Sequence, residues 1–207
     1  FPATIGWSID LRDVNNDGLL DVLQASAPDH GGIWAGGDPF PDLLWLGQAN
    51  GTFSDVTAET TFGSTHNHVG MVTADFNSDG ALDVLFHAEN NDDIPRLYMN
   101  RCTSGHWTNI ELVGPVENSE GYGARLEFHY GERSQIRELY SLRATAQSPS
   151  RLHQGLGEAL VFDLTVVWPD GQRSSAQNLP ADRLVTVVHP DAEDVSKGDD
   201  DDDDDDD

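Results

Sequence analysis

Short apolar runs, bounded by Gly, Pro, Asn and Asp, recur along the chain, and no segment sustains a 3.6-residue apolar period. Period-two patterning predicts strands at 6–12, 20–25, 68–74 and 82–88, with aromatic strands at Leu43–Leu46 and Arg96–Met99. Asn50-Gly51 marks a turn, and the alternation of Phe53 and Val56 after it fits a half-buried strand. From about Trp107 the character changes. Ile110–Val113 alternates, and Ala124–Tyr130 and Gln135–Leu142 form a predicted hairpin around Gly131-Glu132. Leu160–Trp168 stops at Pro169-Asp170-Gly171, where proline presets φ and glycine accepts positive φ, and Leu184–Val188 is the last strand. The fold class is therefore all-β. The segment 28–42, rich in Gly, Pro and Asp, reads as a long loop.

Two of the connections between strands carry chemistry. Asp13-Val14-Asn15-Asn16-Asp17-Gly18-Leu19-Leu20-Asp21 and Asp75-Phe76-Asn77-Ser78-Asp79-Gly80-Ala81-Leu82-Asp83 place oxygen side chains at positions 1, 3, 5 and 9 and glycine at 6. Such spacing folds a loop round a hard cation, with Ca²⁺ the natural occupant, and the position-7 carbonyl adds a ligand without its side chain. The expected ligands are Asp13, Asn15, Asp17, Leu19 (carbonyl) and Asp21, then Asp75, Asn77, Asp79, Ala81 (carbonyl) and Asp83. An EF-hand is excluded because position 12 is Gln24 and Phe86 where a bidentate Glu is required, and because the flanks read as strands. Metal-free Asx turns are the simpler alternative. Against them stands a repeat: the loops lie 62 residues apart, and eight of eleven positions from 13 and from 75 are identical.

The two loops and their flanking strands resemble the FG-GAP/VCBS repeats of integrin-type β-propellers. The stretch 107–188 resembles the ASPIC/UnbV domain that follows such repeats in the cartilage-acidic-protein-1-like family. The matching residues are Asn109–Gly114, Gly121–Arg125, Leu152–Gly157 and Val166–Gly171, with Gln154 standing where the family usually has Phe. The resemblance implies propeller-type blades with bound Ca²⁺, then a small β-sandwich-like module with no established catalytic residues. The expected domains are 1–106 (two calcium-binding repeats), 107–190 (the ASPIC/UnbV-like unit) and 191–207 (an acidic tail). A closed propeller needs about four to eight blades, and this chain supplies two, an incomplete propeller. Three arrangements follow: a piece of a longer protein, repeats packed on the C-terminal unit, or edges and faces paired between copies in an oligomer or filament.

Charge narrows the partners. The net charge is −26, nine units of which come from Asp199–Asp207, and Lys197 is the only lysine. This field repels nucleic acid and anionic lipid and attracts divalent cations. No apolar run is long enough to span a bilayer. Phe1-Pro2-Ala3-Thr4 does not read as a signal peptide, which predicts a mature or truncated start. Loops of this kind suit millimolar external calcium, so the expected site of action is extracellular or at the cell surface. Cys102 is the sole cysteine, which excludes an internal disulfide. The run of like charges in Asp194–Asp207 predicts a disordered tail.

The expected function is a non-enzymatic interaction, adhesion or assembly module, self-associating or binding another extracellular protein or glycan. A carbohydrate-binding or carbohydrate-active module is the alternative, with Trp34 in the 28–42 loop stacking on sugar beside an edge formed by His66 and His68. His66, His68 and His87 as a transition-metal or base cluster lack a defined third partner, and a structural role for them is favoured. No nucleophile elbow, phosphate loop or zinc motif occurs. Trp45, Trp107 and Trp168 lie in strand patterns and are expected in the core.

Overall fold

The computed structural model describes residues 6–27, 41–63, 68–88, 94–101, 103–140 and 147–192. Trp34, His66, Cys102 and the acidic run 194–207 lie outside the described residues. The described chain is all-β, with two single-turn 3₁₀ segments, Thr57–Glu59 and Val116–Asn118.

Four strands form the first antiparallel sheet in sequential order: β1 (Gly6–Arg12), β2 (Asp21–Ser26), β3 (Leu43–Gly47) and β4 (Phe53–Asp55). Three form the second: β5 (His68–Ala74), β6 (Asp83–Ala88) and β7 (Arg96–Tyr98). The repeat in sequence is a repeat in structure, because β5 and β6 lie 62 residues after β1 and β2 at both ends. Each metal-type loop is the hairpin connection between the paired strands.

The two sheets pack face to face, and they do so with opposite faces. The core between them takes Leu23, Ala25 and Leu44 from the first sheet and Met71, Val84 and Phe86 from the second. In repeat-equivalent positions Met71, Val84 and Phe86 correspond to Ile9, Val22 and Gln24, which lie on the other face of the first sheet. The stack is therefore head to tail. It leaves the outer face of the first sheet apolar, with Ile9 58% exposed and Trp7, Leu11 and Phe53 also exposed. Inside, the polar face of β1 is satisfied across the stack: Thr73 Oγ1 donates to Asp10 Oδ2 (2.6 Å) and Arg12 Nε donates to Thr73 Oγ1 (3.2 Å).

The remaining strands form a sandwich. One sheet has the order β10 (Arg133–Glu138), β9 (Arg125–Tyr130), β12 (Val161–Val167), β13 (Arg173–Pro180). The other has β11 (Leu152–Gly157), β8 (His106–Val113), β14 (Arg183–Val188), with β14 parallel to β8. Their inner faces bury Ile110, Leu126, Phe128, Leu156, Phe162, Leu164, Val166 and Trp168. Each such side chain contributes about 1.5–3 kcal/mol on removal from water.

Three expectations need correction. The segment Ile110–Val113 is only the second half of β8, and β11 and β13 were not anticipated. Trp168 is core, but Trp45 and Trp107 are half-buried: Trp45 sits on the outward face of the first sheet, and Trp107 sits where the sandwich meets the second loop. His68 lies on the edge strand β5, but its side chain is not accessible there. It is fully buried, 2.5 Å from Asp42 Oδ2 through Nδ1, and stacks on Phe86, whereas His87 is exposed on the opposite face of the sheet.

Candidate metal centre

The two loops fold with the same hydrogen-bond pattern. In the first, Asp13 accepts the amide N–H of Asp17 (3.1 Å) and of Gly18 (2.7 Å) on its two oxygens. In the second, Asp75 accepts Asp79 N–H and Gly80 N–H, both at 3.0 Å. Asn15 Oδ1 accepts Asp17 N–H, and Asn77 Oδ1 accepts Asp79 N–H, each at 3.1 Å. Asp17 and Asp79 accept the amides of Leu19 (2.7 Å) and Ala81 (2.9 Å). The position-9 carboxylates close the ring: Asp21 accepts Val14 N–H and Gly47 N–H, both at 2.8 Å, and Asp83 accepts Phe76 N–H (3.0 Å) and Asn100 N–H (2.8 Å). All ten expected ligand residues thus lie in two matching hairpin bends.

The backbone explains the residue types. Position 4 is left-handed in both loops, at φ 61° for Asn16 and 60° for Ser78, and position 6 is left-handed at φ 81° for Gly18 and 85° for Gly80. Among non-glycine residues Asn tolerates that region best, and glycine adopts it without a Cβ penalty.

Electrostatics supports a cation. Asp13, Asp21 and Asp83 are buried. Burial first, then repulsion from Asp17 and Asp21, pushes the Asp13 carboxyl up to about 7. Burial raises Asp21 to about 6, with Asp17 adding to it, and Asp83 is raised for the same reasons by Asp79 and Asp75. Among the described residues no arginine pairs with the carboxylates of the first loop, and the nearby Arg133 donates to the carbonyl of Asp17 (2.8 Å). Apart from Asp75 Oδ2, which accepts both Gly80 N–H and Asn109 Nδ2, each carboxylate oxygen accepts one amide hydrogen bond and keeps a lone pair. A divalent ion among these oxygens removes the repulsion, and five ligands per loop plus water meet the coordination number of Ca²⁺. The residues present fit that ion.

The loops differ in cover. Asp13, Val14, Asn16 and Gly18 are buried, whereas Phe76, Asn77, Ser78 and Asp79 are exposed. Residues that spacing could not reveal provide the difference. Asn16 Nδ2 donates to Gly80 O (2.8 Å), and its Oδ1 lies 2.8 Å from His153 Nε2. His153 Nδ1 faces Asn109 Oδ1 (3.0 Å), and Asn109 Nδ2 donates to Asp75 Oδ2 (3.3 Å). A row of polar contacts therefore runs from one loop to the other through the sandwich. Burial pushes His153 down to about 3, so its uncharged ring carries one N–H and donates to only one of the two amide oxygens.

A second grouping, Asp170, His189 and Asp191, brings three potential ligands together in the sandwich. Its hydrogen bonds oppose metal binding. Asp191 N–H donates to His189 Nδ1 (3.0 Å), so the proton resides on Nε2, which donates to Asp170 Oδ2 (3.1 Å). An ion on Nε2 would require a proton on Nδ1, against the amide of Asp191. With its ring against Trp168, His189 fastens the Pro169–Gly171 turn to the end of β14.

Residues 13–86 match the FG-GAP-like repeat family, and residues 114–194 match the ASPIC and UnbV family. A 95-residue segment is 34% identical to cartilage acidic protein 1 of Mus musculus and 33% identical to that of Homo sapiens. It spans 45% of this chain and 14% of each relative's length. Among solved structures, a Ca²⁺-stabilized adhesin with which an Antarctic bacterium binds ice is similar at 12% identity and a TM-score of 0.23, over 89% of this chain and 50% of that one.

Proposed function

We infer, from the matches of residues 13–86 to FG-GAP-like repeats and of residues 114–194 to the ASPIC and UnbV family, a non-enzymatic, calcium-binding β-protein that acts outside the cell as an interaction, adhesion or surface-assembly module. The observation that carries this reading is the pair of matching loops, each with three aspartates folded onto its own amides and, among the described residues, no arginine in a salt bridge with them. The ligands are the ten residues named above, and calcium holds each bend and thereby the strand that follows it. An extracellular site fits millimolar calcium and the net charge of −26. The unlike apolar faces of the head-to-tail stack supply a surface for assembly. We assign no catalytic residue: His68, the histidine nearest to a catalytic reading, is buried between Asp42 and Phe86, out of a substrate's reach. The same burial takes His68 out of the edge on which a glycan reading leaned, while His66 and Trp34 lie outside the described residues.

Calcium titration of the full chain by calorimetry tests the reading. The expected result is two sites, with a melting temperature that falls on chelation. Saturation a hundredfold above the dissociation constant adds about 2.7 kcal/mol per site to stability. A melting temperature indifferent to chelator overturns it.

A further inference from the structure

The first loop is also a seat. Five consecutive carbonyls, Val14 to Gly18, each accept a donor from the chain beyond β7, two from Asn100 and Ser104 before the sandwich and three from the sandwich itself. Val14 O accepts Asn100 Nδ2 (2.6 Å), Asn15 O accepts Ser104 N–H (3.1 Å) and Asn16 O accepts Gly157 N–H (3.0 Å). Asp17 O accepts Arg133 Nη1 (2.8 Å), and Gly18 O accepts Gln135 Nε2. Meanwhile Asp13, Asn15 and Asp17 turn their side-chain oxygens onto the loop's own amides. The bend turns its carboxylates onto its own amides and its carbonyls onto the sandwich, and the Asp13 carboxylate itself lies against Gly155 of β11. Glycines allow the close approach: a Cβ at Gly155 would run into the Asp13 carboxylate, and one at Gly105 into the Asn16 carbonyl. Loop 2 has no such array among the described residues. Its rim is exposed, and its ties to the sandwich are Asn109 on Asp75 and the Trp107 ring over Gly80.

We propose that the first loop is a calcium-dependent joint, in which the ion that fixes residues 13–21 also fixes the carbonyl array on which the C-terminal sandwich docks, while the second loop binds its ion almost independently of docking. This deepens the calcium reading above and rests on it. The directions of the five carbonyls are set by the loop's backbone, including its two left-handed residues, so an ion that holds the bend holds the seat. Linkage makes the effect reciprocal: a docked sandwich raises calcium affinity at the first loop by the factor by which calcium favours docking.

The test uses the full chain, with calcium calorimetry and residue-resolved hydrogen exchange. The Arg133→Ala/Gln135→Ala variant removes two docking donors and no metal ligand. It is expected to bind one calcium as the parent does and the other about tenfold more weakly. In the parent, chelation is expected to speed exchange at the amides of Ser104 and Gly157. Asp17→Ala should reproduce that acceleration with calcium present, and Asp79→Ala should not. Should the double variant fail to fold, the parent's exchange and the Asp79→Ala comparison still decide. A parent that takes up no calcium overturns the calcium reading and the joint together. Two parental sites, with both affinities unchanged in the variant and Ser104 and Gly157 indifferent to chelator, overturn the joint alone.

Discussion

Asp13 shows how a single side chain sets the pH behaviour of the protein. A carboxyl whose folded pKa is raised contributes stability that is fully present below its unfolded value and is lost as pH rises through the folded one. For Asp13 that window runs from 3.8 to about 7, and for Asp21 from 3.8 to about 6. The metal-free protein therefore loses stability across this range. Calcium binds the deprotonated loop and offsets the loss most where both groups are ionised. The gap in melting temperature between calcium and chelator is expected to widen from about pH 5 to about pH 8; an equal gap at both ends would show that these carboxyls do not face the ion. Asn16 supports a second prediction, because it combines two buried side-chain contacts with a left-handed backbone. Asn16→Ala is expected to cost about 2–4 kcal/mol in denaturant unfolding, and Asn16→Gly about 1 kcal/mol less, since glycine recovers the backbone part alone. Equal costs would assign the whole effect to the side chain.

At the scale of elements, the strands beside the loops were legible because two matched copies reinforced each other: 6–12 and 68–74 are β1 and β5 as expected. The ligand residues were legible for the same reason, since a loop that must surround an ion writes its spacing into the sequence. Two strands were not. β13 is the outer edge of its sheet and mostly exposed, so Arg173–Pro180 has no apolar alternation to read. β11 is buried, yet it reads Leu-His-Gln-Gly-Leu-Gly because it faces the first loop with no oily layer between. Gln154, in the place of the family's usual Phe, joins a polar group there: its Nε2 donates to Gln135 Oε1 (3.1 Å) and to Gly155 O (2.6 Å). Gly155→Ala is accordingly expected to weaken calcium binding at the first loop while leaving the second unchanged, a split that site-resolved titration would detect. Uniform weakening would point to general unfolding. In the stacked core, Phe86→Ala should cost about 3–5 kcal/mol in chemical denaturation, because Phe62, His68 and Tyr98 all pack on that ring.

For the whole molecule, the arrangement of the parts was beyond sequence reasoning even where the parts themselves were legible. Loop spacing says nothing about which carbonyl meets which donor across more than a hundred residues, as Arg133 meets Asp17. Nor could strand patterning tell that equivalent strands bury opposite faces, because Ile9 and Met71 hold the same place in their repeats while one is exposed and the other fully buried. That inequality follows from position in the stack, and it has a further consequence. A pile whose top differs from its bottom has a direction. Two such objects can pair like face to like face about a two-fold axis and stop at two, whereas joining unlike faces adds copies in sequence, each one renewing the surface that the last one covered. Growth of that kind has no natural end at two. A charge at the exposed start, as in Ile9→Lys, should halt either mode without moving the melting temperature, and sedimentation of the parent separates them: species that keep growing with concentration for sequential addition, a limit at the dimer for the two-fold pair.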